Sequence, residues 1–208
     1  MKPNTPPLPC ISAQPADLHG GQPPSAWIQR WSHLLKPASR VLDLACGRGR
    51  HARWFHGQGH TVTALDRCSA ALALIDLPPA RCEKVLADIE SGAWPLAGRQ
   101  FDAVVVSHYL WRPLMPVLLD SLAPGGVLIY ETFTQGNETV GKPSRPDFLL
   151  QAGELLRLCT RLRVVAFEDG FEPARMHRAA PTGARFTQRI AAVNQVNAAT
   201  ATRYLLAS

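Results

Sequence analysis

The chain has few cysteines, little charge and no long hydrophobic segment. Its five cysteines are an odd number, and no two of them form a Cys-x-x-Cys pair. This pattern predicts neither a disulfide framework nor a zinc site, and it favours a reducing compartment. No apolar run approaches the roughly 20 residues of a membrane-spanning helix, and the N-terminus lacks the apolar core of a secretory signal. We therefore expect a cytoplasmic protein that does not enter a membrane.

Length and composition predict one globular domain with a flexible arm. The 208 residues are 46% hydrophobic and 18% charged, as in ordinary globular proteins. Residues 1–24 are rich in proline and predict the arm, and residues 25–208 predict the domain. The net charge is +6, which suits nucleic acid or an acidic small ligand. Because no basic stripe interleaved with aromatic residues is present, nucleic acid is a secondary alternative.

Short apolar segments alternate with amphipathic ones along the domain. This alternation predicts an α/β fold with a doubly wound, mostly parallel sheet. The predicted strands are 40–45, 60–65, 83–87, 101–107, 127–133, 162–168 and 186–193, and the predicted helices are 25–35, 50–56, 69–77, 114–122 and 148–159. Trp27 and Trp31 in the first helix either pack on the sheet or belong to a lid.

A glycine turn follows the first predicted strand. Asp43 lies in that strand, and Gly47 and Gly49 precede a helix start. Glycines allow a ligand close to the main chain, and a helix N-terminus favours an anionic group. The spacing Gly-x-Gly-x-x-Ala also fits the dinucleotide fingerprint. Asp43 argues against a dinucleotide, because its carboxylate would repel a pyrophosphate and would attract an amino group.

Further polar residues stand at the ends of the next strands. Asp66 follows the second strand, where an acid can accept hydrogen bonds from both ribose hydroxyls. Asp88 and Ile89 follow the third strand. The fourth strand ends in Ser107 and continues into a cluster in which His108 or Tyr109 could act as a base and Arg112 could bind an acidic acceptor. His108 could equally serve only to hydrogen-bond a cofactor or the backbone. A long polar loop, 134–146, offers Asn137, Lys142 and Arg145 as acceptor contacts.

The glycine turn resembles motif I of class I S-adenosylmethionine-dependent methyltransferases. The loop Cys-Gly-Arg-Gly-Arg-His also resembles that of small bacterial methyltransferases of the tellurite-resistance type. The resemblance implies a Rossmann-like fold, in which a seven-stranded sheet ends in a C-terminal antiparallel hairpin. That family usually has glycine where this chain has Ala45, and the extra methyl group is expected to narrow the cleft.

The resemblance also assigns roles in binding S-adenosyl-L-methionine. The methionine part is expected at the turn, the ribose at Asp66 and the adenine between Arg67, Asp88 and Ile89. Ser107 and His108 are expected to line the path of the methyl group. The turn residues are Asp43, Ala45, Cys46, Gly47 and Gly49, with Arg50 and His51 at the methionine carboxylate. Cys46 is expected to be a small packed residue rather than a catalytic thiol.

The implied activity is in-line transfer of a methyl group to a small-molecule acceptor, for which an anion is one alternative. A general base is needed only if that acceptor is protonated near neutral pH, and His108 and then Tyr109 are the candidates. Two other classes stay open. One is an RNA-binding or RNA-methylating protein of the same fold, suggested by the basic region 157–189, and the other is an NAD(P)-dependent oxidoreductase. The sequence does not predict an oligomeric state.

Overall fold

The computed structural model describes residues 22–174, 183–195 and 203–206. The predicted arm, 1–24, lies almost wholly outside these ranges. No helix within them is long and apolar enough to cross a bilayer.

Seven strands form a single sheet in the order β3-β2-β1-β4-β5-β7-β6. Strands β1 to β5 are parallel to one another, and β7 pairs antiparallel with both β5 and β6. This is the predicted parallel sheet closed by a C-terminal hairpin. The strands are β1 (Arg40–Leu44), β2 (Thr61–Asp66), β3 (Cys82–Leu86), β4 (Phe101–Ser107), β5 (Leu122–Phe133), β6 (Arg163–Glu172) and β7 (Arg185–Val193).

Helices cover both faces of the sheet, as the apolar runs of its central strands require. The helices are α1 (Ala26–Trp31), α2 (Arg50–Gly57), α3 (Ser69–Ala73), α4 (Met115–Asp120) and α5 (Glu154–Leu158). Alternate residues of β1 and β4 point to opposite faces. Leu42 and Val104 pack with α4 and α5 in one apolar cluster, and Val41 and Val105 pack with α1 and α2 in the other.

The first helix belongs to the core. Ser25 caps α1 by accepting hydrogen bonds from the N–H groups of Trp27 and Ile28. Trp27 and Trp31 are both buried, and the Trp27 indole N–H donates to the carbonyl of Ile190 in β7. The two tryptophans therefore pack on the sheet, and the alternative that they form a lid is wrong.

The predicted helix 148–159 is wrong over its first half. Pro146–Phe148 form a 3₁₀ turn, and Leu150 makes a parallel bridge with Thr134. The Leu150 amide donates to the carbonyl of Phe133, and the Gln135 amide donates to the carbonyl of Leu150. Because these backbone bonds tie the segment to the end of β5, the helix begins only at Glu154.

The bounds of β5 and of the helix before it also differ from the prediction because of backbone pairing. Residues 123–126, which lie between the predicted helix 114–122 and the predicted strand 127–133, continue the ladder, so β5 begins at Leu122 rather than Val127. A register shift accommodates the additional residues, since Phe101 pairs with Leu122 and Ala103 pairs with Val127. The helix predicted for 114–122 is correspondingly shorter, and a 3₁₀ turn at Arg112–Leu114 precedes α4.

Candidate active site

A cleft of about 310 Å³ opens at the carboxyl ends of the parallel strands. The strand order reverses between β1 and β4, which is where open α/β sheets form ligand crevices. Seven of the predicted site residues line this cleft: Ala45, Asp66, Arg67, Asp88, Ile89, His108 and Tyr109. Leu65, Ala87, Glu90, Leu110, Thr132, Phe133, Pro143 and Phe148 complete the lining. Residues far apart in the chain thus meet in one concave site.

The glycine turn uses three left-handed residues. Ala45, Gly47 and Gly49 have φ angles of 51°, 53° and 74°. A Cβ added to Gly49 would lie 2.7 Å from the Ile75 side chain, whereas one added to Gly47 would meet nothing within 4 Å. The left-handed φ at position 45 explains why related proteins usually have glycine there. In an alanine this conformation costs about 1–2 kcal/mol.

Asp66 connects the tip of β2 to this turn. Its Oδ2 accepts the Gly47 amide at 2.7 Å, and its Oδ1 accepts the Cys68 amide at 2.8 Å. The carboxylate of Asp66 fixes the turn while still facing the cleft.

Cys46, in the same turn, is buried, and burial raises the pKa of its thiol. Cys46 is therefore a packed residue, as expected.

Asp43 is buried behind the turn. Burial raises the pKa of Asp43 to about 7, while the Ala52 N–H acts in the opposite direction. Its Oδ2 has no hydrogen-bond partner among the described residues. Burying such an oxygen is costly unless it gains a donor or a proton. The carboxylate is therefore suited to an added cationic donor.

His51 was expected at the methionine carboxylate, but its ring nitrogens face protein groups instead. Its Nε2 accepts the Ser25 amide at 3.2 Å, and its Nδ1 lies 3.9 Å from Asp43 Oδ1. Burial lowers the pKa of His51 to about 2, and the charge of Arg50 adds to this effect. The ring is therefore neutral, and both of its nitrogens face protein groups.

Arg50 reaches the end of β4 instead of pointing freely into solvent. Its Nη2 donates to Ser107 Oγ at 3.0 Å, and Ser107 Oγ donates to Glu131 Oε1 at 3.0 Å. Burial lowers the pKa of Arg50, and the charge of Glu131 opposes that shift. Ser107 thus bridges a buried arginine and a buried glutamate.

The tip of β3 presents a charged acid beside an apolar wall. Asp88 accepts the Glu90 amide at 3.0 Å and the Ser91 hydroxyl at 2.7 Å. These two bonds, the hydroxyl first, lower the pKa of Asp88, so it is ionised at neutral pH. Ile89 lines the cleft next to it, and Arg67 lies 3.9 Å from Glu90 with a largely exposed side chain.

His108 has a left-handed backbone at the end of β4. Its φ is 56°, and its ring stacks on Phe133 with centroids 4.9 Å apart. Its Nε2 lies 3.3 Å from Arg185 Nη1. An arginine can only donate, so Nε2 is the acceptor and carries no proton in this arrangement. Strained backbone of this kind is concentrated at functional sites.

Tyr109 is a poor base. Burial raises the pKa of its hydroxyl, and the negative charge of Glu90 raises it further. The buried hydroxyl has no hydrogen-bond partner among the described residues. Tyr109 therefore stays a neutral phenol that can donate a hydrogen bond.

Arg112 serves a structural segment rather than the cleft. Its Nε donates to Glu154 Oε1 at 2.7 Å, and its two terminal nitrogens donate to the carbonyls of Asp147 and Leu149 at 2.9 and 2.8 Å. The geometry does not support the predicted contact with an acceptor, because all three nitrogens are directed at residues 147–154.

Asn137 likewise organises the loop it belongs to. It is buried, its side-chain amide donates to the Pro143 carbonyl at 3.0 Å, and its Oδ1 accepts the Phe186 amide at 3.2 Å. Arg145 pairs with Asp147 on the surface. Pro143 and Phe148 are the parts of this region that line the cleft.

The closing hairpin carries a charged network that was not predicted from the sequence. Arg185 Nε donates to Glu172 Oε2 at 2.5 Å, and Arg189 Nη2 lies 2.7 Å from Glu172 Oε1. Arg189 Nε approaches Glu131 at 3.4 Å. The signal was present: Glu131 and Arg189 interrupt apolar runs of strands whose neighbours are buried.

Comparison with known proteins indicates a methyltransferase domain. Residues 41–126 match the family described as "Methyltransferase domain". This match covers about two-fifths of the chain, and the seven-stranded sheet with its closing hairpin is that of the predicted methyltransferase fold. The predicted fold is confirmed, and the match supports the predicted family and cofactor.

The same comparisons found a curated relative that matches part of the chain. The malonyl-[acyl-carrier protein] O-methyltransferase of Enterobacter lignolyticus is 39% identical over 105 residues, which cover 45% of this chain and 39% of that protein. The chain thus spans about two-fifths of the length of this curated relative.

Two solved structures share the fold. TehB of Haemophilus influenzae is 16% identical with a TM-score of 0.64, covering 79% of this chain and 60% of TehB. A SAM-dependent methyltransferase of Methanosarcina mazei is 16% identical with a TM-score of 0.62, covering 85% of this chain and all of that one. Identity this low supports the fold alone.

Proposed function

We propose that the protein transfers a methyl group from S-adenosyl-L-methionine to a small-molecule acceptor. The observation that supports this most strongly is the placement of Asp66 and Asp88 at neighbouring strand tips of one cleft, beside the glycine turn. Two acids at neighbouring strand tips suit a nucleoside, with the ribose at Asp66 and the adenine at Asp88 and Ile89. Arg67 borders the adenine end of the same cleft.

The charges of the site favour this cofactor over a dinucleotide. Asp66 and Asp88 line the cleft, and their charges would repel a pyrophosphate. The cofactor instead carries a sulfonium and an ammonium. The unpartnered Oδ2 of Asp43 suits the ammonium, the open backbone at Gly47 leaves room for the methionine part, and Arg50 suits its carboxylate.

The chain's own residues supply position rather than covalent chemistry. The bound cofactor supplies an activated methyl group and a thioether leaving group. Asp66 and the turn fix the nucleoside, while Ser107 and His108 border the path to the acceptor. Such alignment alone can contribute about 7–11 kcal/mol to lowering a barrier.

The curated relative supports the transfer of a methyl group, because that protein, of which this chain spans about two-fifths, is named as an O-methyltransferase. All cysteines in the described ranges are free, which fits our expectation of a cytoplasmic location.

Calorimetric titration with S-adenosylhomocysteine tests the proposal at Asp66. Asp66→Asn keeps an oxygen for the turn but loses the charge, and we expect its affinity to fall by about tenfold or more. Asp76→Asn is the matched control, because Asp76 is an exposed acid just after α3, and its affinity should equal that of the wild type. Equal affinity in all three proteins would overturn the assignment.

A further inference from the structure

We infer that Arg185 recognises the methyl acceptor and that the acceptor carries a carboxylate. This inference rests on the proposed function, because it assigns the acceptor side of the same cleft. It moves the anion contact from Arg112 on the 3₁₀ turn to the first residue of β7, which lies outside the segment that matches the family.

The guanidinium of Arg185 is held on two sides, and one of its partners is His108, which lines the cleft. Its Nε donates to Glu172, its partner across the hairpin, and its Nη1 donates to His108 Nε2. Its Nη2 makes no hydrogen bond to any described residue. The side chain is 26% exposed, so this nitrogen can donate to a ligand. A guanidinium pre-organised in this way binds a carboxylate at a small entropic cost.

Glu172 does not belong to Arg185 alone. It also accepts from Arg189, and Arg189 in turn approaches Glu131. Three arginines, Arg50, Arg185 and Arg189, therefore meet three glutamates, Glu131, Glu168 and Glu172, at this end of the sheet. Arg185 shares its carboxylate partner Glu172 with Arg189, which leaves part of its positive charge for an anionic ligand.

His108 positions Arg185. Its ring is clamped by stacking on Phe133, and its Nε2 is aimed at the guanidinium. The left-handed backbone of His108 is a strained conformation that the fold maintains here. Phe133, Pro143 and Phe148 form an apolar wall beside the pair. A cation next to an apolar wall suits an organic acid with a hydrophobic body.

A carboxylate also removes the need for a base. Tyr109 stays protonated, and His108 Nε2 is occupied by Arg185. A carboxylate is already ionised at neutral pH. One of its oxygens binds Arg185, and the other attacks the methyl carbon. An oxygen–carbon bond forms as the carbon–sulfur bond breaks, its electron pair leaves with the sulfur, and no proton moves. The products are a methyl ester and S-adenosylhomocysteine.

Ligand-observed NMR on the protein saturated with S-adenosylhomocysteine tests the inference. The probes are phenylacetate and hexanoate, each paired with its own amide. In the wild type we expect each carboxylate to bind about tenfold or more tightly than its amide. Arg185→Gln should abolish this preference while its affinity for S-adenosylhomocysteine stays unchanged. Arg163→Gln, at an exposed arginine of the same hairpin, should retain the preference.

A second variant separates positioning from backbone strain. His108→Gly relieves the left-handed strain and removes the ring, so a role limited to the backbone predicts that the carboxylate preference survives. We expect it to fall by about threefold or more because Arg185 loses its orientation. The inference is overturned if carboxylates bind no better than amides in the wild type, or if the preference survives Arg185→Gln. Failure of S-adenosylhomocysteine to bind the wild type would instead overturn the proposed function.

Discussion

The Asp66 carboxylate accepts the Gly47 amide at 2.7 Å and so links the end of β2 to the glycine turn after β1. A second bond to the Cys68 amide fixes the other oxygen. The residue expected to hold the ribose therefore also builds the turn that is expected to hold the methionine part.

Asp66→Ala should destabilise the protein by about 2–3 kcal/mol, because two charge-assisted bonds to backbone amides are lost at a half-buried site. Urea unfolding measures the change. Asp76→Ala is the control and should stay within about 0.5 kcal/mol of the wild type. A variant as stable as the control would show that the turn does not depend on Asp66.

Ala45→Gly should be neutral or stabilising by up to about 1 kcal/mol, since relief of the left-handed strain exceeds the extra freedom of glycine in the unfolded chain. Ala70→Gly, in the exposed part of α3, should cost about 1 kcal/mol. Thermal unfolding of the two variants gives the comparison. Equal losses at both positions would contradict the role of the left-handed φ.

The buried Asp43 should make stability depend on pH. Its pKa is raised from 3.8 to about 7, so the folded protein keeps a proton that the unfolded chain has released. Its contribution to stability therefore falls as the pH rises from about 4 to about 7. Relative to the wild type, Asp43→Asn should gain stability across this window, with an upper limit of about 4 kcal/mol.

Chemical unfolding of both proteins between about pH 5 and pH 8 measures this difference. Neutral His51, whose pKa is lowered to about 2, stabilises the fold increasingly as the pH rises towards 6.5. This opposite trend is present in both proteins and cancels in the comparison. A difference that does not change with pH would contradict the raised pKa of Asp43.

Arg112→Gln should cost about 2–3 kcal/mol without changing affinity for S-adenosylhomocysteine, because it leaves the largely buried Glu154 without its partner. Arg161→Gln breaks an exposed pair with Asp120 and should cost less than about 1 kcal/mol. Unfolding and calorimetry together check both statements. Loss of cofactor affinity in Arg112→Gln alone would place this arginine in the binding site.

The sequence predicted the sheet well because its signals are local. The apolar run of β4 and the acids at the tips of β2 and β3 depend on residues next to one another. The helix expected at 148–159 failed because backbone bonds from the end of β5 hold Leu150 in an extended conformation. Spacing along the chain does not reveal such a tertiary competitor.

The candidate site also has residues that local sequence predicts and residues that only the tertiary structure reveals. Asp66, Asp88 and Ile89 stand directly after strands, so parallel pairing brings them to one edge. Arg185 reaches His108 only because β7 inserts between β5 and β6, a pairing between residues 77 positions apart. Arg112 was assigned to the acceptor from its place in a polar cluster, but its partners lie about 40 residues further along the chain.

The central claim is that the cleft binds a cationic nucleoside cofactor rather than a dinucleotide. Calorimetric titration of the wild type with S-adenosylhomocysteine and, separately, with NADH tests it most directly. We predict saturable one-to-one binding of S-adenosylhomocysteine and no measurable heat of binding with NADH. Saturable binding of NADH without binding of S-adenosylhomocysteine would contradict the account.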